Sequence, residues 1–127
     1  MEKFILNGYL WKVKKVEPDS DFLIDRTGKI TLGTTDPETM CVYLANNLKG
    51  ELLNRVMIHE LGHCALFSFG LLDDIHRMTR KDCWMEAEEW VCNFIADYGM
   101  KIFAVAYSVL GEDAIHVVPY ELEKMIS

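Results

Sequence analysis

The residues best suited to chemistry lie in one short run, His59-Glu60-Leu61-Gly62-His63, which has the pattern H-E-x-x-H. Residues four positions apart on an α-helix project from the same face, so both imidazoles can reach one metal ion. Glu60 stands next to that face, close enough to take a proton from a water on the metal without being a ligand itself. The pattern predicts a hydrolytic zinc centre in which Glu60 is the catalytic base.

Two histidines do not complete a catalytic zinc centre, which needs a third protein ligand and one open position. The extended pattern H-E-x-x-H-x-x-G-x-x-H is absent, because Leu66 and Phe69 stand at its later Gly and His positions. The third ligand is therefore expected elsewhere, and we predict Glu89, in the acidic first part of a second helix. Glu86, one helical turn earlier, and His76 are the alternatives.

Other side chains are predicted to surround this centre. Asn93 lies four residues after Glu89 on the same helical face, so we expect it to orient a ligand through a hydrogen bond. Glu88 is expected to point to solvent from an acidic first turn, which the helix dipole favours. Four candidates for stabilising the oxyanion stay open, although each is more typical of packing: Tyr98, Tyr107, His116 and Tyr120.

The elements that must position these residues change character along the chain. Strand-like composition before about position 45 gives way to helical periodicity, which predicts an α+β fold. A small antiparallel or mixed sheet is expected at about 9–45, with strands at 9–16, 22–25, 29–32 and 40–45 and a turn at Arg26-Thr27-Gly28. Helices are expected at about 50–69 and 83–110, with a connector at 71–81, a kink at Gly99, an end at Gly111 and a short helix at 119–126.

Length, charge and cysteine spacing limit the class of protein. A chain of 127 residues has room for one core, so we expect a single domain over 1–127. The 13 basic and 20 acidic residues give a net charge of −7, which disfavours nucleic acids and anionic membranes as partners. The longest apolar run, 102–110, is too short to cross a bilayer. Four cysteines without paired spacing, and no apolar leader, indicate a reduced, cytoplasmic protein.

Two stretches together resemble the ImmA/IrrE-like zinc metallopeptidases of phages, mobile elements and bacteria. Residues 53–66, LNRVMIHELGHCAL, contain the histidine pair, and residues 89–96, EWVCNFIA, are similar to the downstream pattern E-x-x-A-N/D-x-F-A of that family. Cys92 and Ile95 replace the usual Ala and Phe, and the chain departs from the family after Ala96.

The resemblance implies a zincin-like fold, one Zn²⁺ per chain on His59, His63 and Glu89, and site-specific cleavage of a protein or peptide. The target would be a regulatory protein of a phage or mobile element, often a repressor. In zincins the strand before the active-site helix can be an edge that pairs with an extended substrate by β-augmentation. The candidate residues for that contact lie in the strand predicted at 40–45: Cys41, Val42, Tyr43 and Leu44.

Two other interpretations fit the same residues. The chain could be a zinc-bound, non-catalytic protein-interaction module with a zincin fold, closed by a fourth ligand such as Cys92, whereas Cys64 should point away from the metal. Alternatively, both histidines could serve only the core of a metal-free domain. The intact Glu60 favours the hydrolase, since a purely structural metal site needs no base. The oligomeric state stays open.

Overall fold

The computed structural model describes residues 2–116, in which an N-terminal sheet is followed by a helical half. The strands are β1 (Glu2–Leu6), β2 (Tyr9–Val16), β3 (Gly33–Asp36) and β4 (Cys41–Ala45). The helices are α1 (Gly50–Ser68), α2 (Leu72–Met78), α3 (Trp84–Phe94) and α4 (Met100–Leu110). A π-helical turn, Ile95–Gly99, joins α3 to α4, and 3₁₀ turns lie at Asp21–Leu23, Lys81–Cys83 and Gly111–Ile115. The predicted α+β class is confirmed, and the helix predicted at 119–126 lies outside the described residues.

The four strands form one mixed sheet in the order β1-β2-β4-β3. Strand β4 is parallel to β2, antiparallel to β3, and buried along its whole length. A strand that is apolar on both faces belongs inside a sheet, where its backbone groups are paired on both sides. The prediction that Cys41, Val42, Tyr43 and Leu44 offer a free edge to a substrate is therefore wrong. The outer strand on this side of the sheet is β3.

Strand β2 has its predicted bounds, but the segments around it differ from prediction. Strand β1 is absent from the prediction; it pairs with β2 through Asn7-Gly8, whose positive φ angles of 49° and 82° are typical of a type I′ hairpin turn. The segments 22–25 and 29–32 form a single isolated bridge instead of two strands. The turn predicted between them is present, with Gly28 at a φ of 85°.

The two long predicted helices are confirmed, with one addition and one irregularity. Helix α1 ends one residue before its predicted end. The predicted connector at 71–81 contains α2, whose buried Ile75 packs against side chains of α1 and α3. The second helical run spans Trp84 to Leu110, with the π-helical turn in place of a kink, and it ends at Gly111, whose φ is 63°.

The main core joins the sheet to α1. Its largest fully buried side chain is Trp11 of β2, whose Nε1 donates to Ser68 Oγ at 2.8 Å. Asn7 Nδ2 donates to the backbone oxygen of Ser68, also at 2.8 Å. The β1–β2 hairpin therefore holds the C-terminal end of α1. All four cysteines are free thiols, as their spacing predicts.

Two glycines let other elements approach α1 closely. A Cβ on Gly33 of β3 would lie 2.8 Å from Val56 Cγ1 and 3.3 Å from Glu60 Cγ. A Cβ on Gly62 of α1 would lie 3.0 Å from Cys92 Sγ and 3.3 Å from the Cα of the same residue on α3. Both β3 and α3 are thus packed against one helix without intervening side-chain bulk.

One helical run, Lys81–Ile115, is long and apolar enough to cross a membrane by length and composition alone, with a mean hydropathy of 1.2 in its most apolar window. Its N-terminal half packs against α1, and Asp97 in its middle accepts a hydrogen bond from Arg55 Nε at 2.8 Å. A single helix of such weak apolar character is not convincing as a membrane span.

Candidate metal centre

Three of the predicted side chains meet at one point between α1 and α3. His59 and His63 lie one turn apart on α1, and Glu89 reaches them from α3, so that one ligand atom of each lies within 4.8 Å of the others. Glu89 Oε2 is 3.1 Å from His59 Nε2, and Glu89 Oε1 is 3.1 Å from His63 Nε2. Two imidazoles and one carboxylate therefore form a possible metal site, as the sequence predicts.

The donor set and its spacing fit a zinc ion. Zinc takes imidazole nitrogen and carboxylate oxygen, and in a tetrahedral site with bonds of about 2.0 Å the ligand atoms lie roughly 3.3 Å apart. The two separations of 3.1 Å between Glu89 and the histidines are close to that value. Within residues 2–116 no fourth His, Cys, Asp or Glu belongs to the group. Three ligands would leave one coordination position open.

Glu60 lies beside the ligands and is only 5% exposed. Its Oε1 accepts a hydrogen bond from Thr35 Oγ1 at 2.8 Å, and its Oε2 lies 4.0 Å from His59 Nε2. Burial raises the pKa of the Glu60 carboxyl above its ordinary value, and the hydrogen bond from Thr35 offsets this only in part. A buried carboxylate with a raised pKa, next to metal ligands, is suited to accept a proton.

Glu88 also belongs to the site, although the sequence predicts that it points to solvent. Its Oε1 lies 2.8 Å from His63 Nδ1, and its Oε2 accepts a hydrogen bond from Arg26 at 3.1 Å. Burial acts to raise the pKa of the Glu88 carboxyl, but the contacts with His63 and Arg26 outweigh it, so the pKa is lowered. A carboxylate on the second nitrogen of a ligand histidine sets the ring orientation and its tautomer. Ligand histidines generally need such a partner, and this need is the signal from which the sequence could have identified Glu88.

In the metal-free protein His63 forms ion pairs with Glu88 and Glu89. Burial acts to lower the pKa of His63, but hydrogen bonds with Cys92, Glu88 and Glu89 outweigh it and raise the pKa to about 12. Hydrogen bonds from His59 and His63 hold the pKa of Glu89 well below its ordinary value. His63 is therefore protonated at neutral pH when no metal is bound, and a metal ion must displace that proton.

The alternative ligands lie outside the cluster. Glu86 is exposed on α3, and His76 stacks on Trp84 with ring centroids 3.9 Å apart. Asn93 borders the cleft but is exposed, and its predicted hydrogen bond to a ligand is not present among the described residues. Cys64 is a buried thiol whose pKa burial raises to about 12, and it is not in the ligand group.

The ligands open into a cleft of about 720 Å³, within the range of roughly 300–1,000 Å³ typical of ligand sites. Its lining includes Glu60, all four residues of β3 and two basic residues, Arg26 and Arg55. Of the residues considered for an oxyanion role, Tyr98, Tyr107 and His116 do not line it, and Tyr120 lies outside the described residues. The cleft thus joins the possible metal site to the outer strand of the sheet.

Comparison with family models, with curated protein sequences and with solved structures found no match to this chain. The resemblance to the ImmA/IrrE-like peptidases therefore stays a prediction from the residues.

Proposed function

We propose that this chain is a zinc-dependent metalloendopeptidase with a zincin-like fold. The observation that carries the proposal is the convergence of His59, His63 and Glu89 at an open cleft, with the buried carboxylate of Glu60 beside them. A closed structural zinc site would need a fourth protein ligand. The described residues offer none in this group, which favours hydrolysis over a non-catalytic module.

The roles of the chain's own residues follow from their positions. Zinc, when bound, supplies Lewis-acid polarisation of the scissile carbonyl and makes a water more acidic. Glu60 accepts the proton from that water and delivers it to the leaving amine. Thr35 holds one oxygen of Glu60, which leaves the other oxygen, on the side of His59, for proton transfer. Glu88 fixes the ring of His63.

The outer strand β3 is the proposed docking edge for substrate, in the role that the sequence predicts for β4. All four residues of β3 line the cleft, and Thr35 connects this strand to Glu60. An extended peptide that paired with β3 would pass the ligand cluster in a defined direction, which is the β-augmentation mode. From the family resemblance, the proposed target is a regulatory protein of a phage or mobile element.

Zinc content and peptide cleavage, measured together, test the proposal. Elemental mass spectrometry of the purified chain should find close to one zinc per chain, and a peptide library analysed by mass spectrometry should show cleavage. Glu60→Gln should keep zinc and lose cleavage, whereas Glu89→Gln should lose most of the zinc. Glu86→Gln, an exposed change on the same helix, is the matched control and should change neither.

Each other outcome points to another class of protein. A wild-type chain that holds zinc with a bound water but cleaves nothing would support the non-catalytic module. Cleavage that persists in Glu60→Gln would contradict the assigned base. No zinc after reconstitution with excess metal would remove both zinc interpretations and leave a metal-free domain.

A further inference from the structure

The outer face of the α3–α4 helical run carries a row of apolar side chains that no other part of the described chain covers. Six residues form this row, which we name the apolar stripe, with exposed fractions from 41% to 74%: Trp90, Phe94, Tyr98, Ile102, Val105 and Val109. The rings of Trp90 and Phe94 stack with centroids 5.5 Å apart, and the next ring, Tyr98, follows at 5.9 Å. Soluble monomers rarely expose so continuous an apolar surface.

The π-helical turn keeps the apolar stripe on one face. From Trp90 to Val109 there are 19 residue steps, one more than the 18 or so that make five α-helical turns. A π-helical turn takes up one additional residue. Without it, the stripe would drift by roughly 100° around the helix. With it, the stripe stays opposite the buried Cys92, which packs against α1.

We propose that the apolar stripe is the interface of a symmetric dimer, in which two copies of this chain pair through antiparallel α3–α4 runs. With about 150–250 Å² for each aromatic side chain and somewhat less for each aliphatic one, the exposed fractions amount to roughly 700 Å². Each partner in a standard protein interface buries about 800 Å². The apolar stripe alone supplies most of that area.

The shape of the apolar stripe is self-complementary in one orientation. Its first half bears aromatic rings and its second half bears aliphatic side chains. In an antiparallel pair whose two-fold axis passes between Tyr98 and Ile102, Trp90 of each copy lies opposite Val109 of the other. The same alignment sets Phe94 opposite Val105. Large side chains then meet small ones along the interface, whereas a parallel pair would set ring against ring.

A membrane surface suits the apolar stripe less well than a second copy. The chain has a net charge of −7, which anionic lipid headgroups repel. Interfacial helices flank their apolar face with several Lys and Arg residues, but between Trp90 and Leu110 Lys101 is the only basic side chain. Vesicle binding is therefore an alternative outcome of the test.

Sedimentation velocity of the full chain over a wide concentration range tests the dimer. The wild type should sediment as a species with twice the 14.7 kDa mass of one chain. Val105→Glu combined with Val109→Glu should be monomeric, with at least a hundredfold weaker association. Tyr107→Glu, at an exposed position on the opposite side of α4, is the matched control and should stay dimeric. Circular dichroism and zinc content should be unchanged in all three, which separates this test from that of the proposed function.

Disulfide trapping tests the orientation in a Cys83→Ser background. Trp90→Cys with Val109→Cys should form a disulfide between two copies, in which these positions lie opposite each other. Within one chain they are about 28 Å apart, so an intramolecular disulfide cannot form. Trp90→Cys alone should not. A wild type that is monomeric at every concentration, a dimer that survives both Glu substitutions, or equal trapping by Trp90→Cys alone would overturn the proposal. Monomers that co-sediment with phosphatidylcholine vesicles would assign the apolar stripe to a membrane instead.

Discussion

Glu88 and Glu89 are neighbours in the sequence, yet they contact the two nitrogens of one imidazole, that of His63. Successive residues of a helix point about 100° apart, so both can reach the ring only because α3 crosses α1 beside it. The ring is therefore held from both sides, with Nε2 directed to Glu89 and the metal position. At the residue scale, Glu88 orients the ring of His63 toward the possible metal site.

We predict that Glu88→Gln weakens zinc binding by 10- to 100-fold, the usual effect of losing a carboxylate behind a ligand histidine. The amide keeps the size of the side chain but removes the charge that sets the tautomer of His63. Competition with a chromogenic chelator measures the affinity. Glu86→Gln removes an equal charge from the exposed surface of α3 and should change the affinity less than twofold. Equal effects of the two substitutions would contradict the role of Glu88.

Zinc affinity should rise with pH because His63 holds a proton in the metal-free protein. A histidine whose folded pKa is raised stabilises the fold below its unfolded value near 6.5, and this contribution is lost as the pH rises through about 12. Across neutral pH the ion must displace that proton, so affinity should increase about tenfold per pH unit. Chelator competition at several pH values, corrected for the chelator's own protonation, measures the slope. A flat profile would show that His63 is already neutral.

At the element scale, the site depends on how closely α1 and α3 pack. Gly62→Ala would place a Cβ 3.0 Å from Cys92 Sγ and 3.3 Å from backbone of α3, so α3 must shift by a few tenths of an ångström to accommodate it. We predict a loss of about 1–3 kcal/mol in the free energy of unfolding, together with weaker zinc binding, because Glu89 moves away from the histidines. Thermal denaturation and chelator competition measure the two effects.

Gly99→Ala is the matched control for this prediction. Gly99 has helical angles, φ −57° and ψ −43°, and its added Cβ would meet Ile95 at an ordinary 3.5 Å. Alanine should therefore stabilise the fold by about 0.5–1 kcal/mol. If Gly62→Ala were as well tolerated as Gly99→Ala, close packing would not be what positions the ligands.

The elements show which parts of the fold a single sequence can predict. Helix α1 and strands β2 and β4 are predicted because apolar periodicity is a local signal. Helix α2 is missed because it is short and charged and buries a single residue, Ile75. Strand β1 is missed although Asn7-Gly8 is a hairpin signal. The interior position of β4 depends on the return of β3 along its other side, which no local pattern reveals.

The candidate site divides in the same way. The spacing of His59, Glu60 and His63 is local, so one motif predicts three residues. Glu89 is predicted because a zinc centre with two histidines needs a third protein ligand, and the first part of the second helix is acidic. Glu88 and Arg26 come from the crossing of α3 with α1 and with the turn before β3. Such contacts join distant segments, and a single sequence carries no direct signal for them.

At the scale of the whole molecule, a metal would join two helices that meet at the cleft. We predict that chelation lowers the Tm of the zinc-loaded protein by on the order of 10 °C, since a ligand at 1,000 times its Kd adds about 4 kcal/mol. Differential scanning calorimetry with and without EDTA measures the change. Glu89→Gln, which lacks the third ligand, should show a much smaller shift. A Tm that EDTA leaves unchanged would mean that the purified protein holds no metal.

Glu89 and Trp90 are adjacent residues of one helix, yet one belongs to the metal cluster and the other to the apolar stripe. The rotation of α3 about its own axis that directs Glu89 to the histidines also directs Trp90 outward. Any force that fixes this rotation acts on both surfaces. If this rotation couples the proposed zinc binding to the proposed self-association, the coupling is reciprocal: the factor by which zinc raises the dimerisation constant is the factor by which dimerisation raises the affinity for zinc.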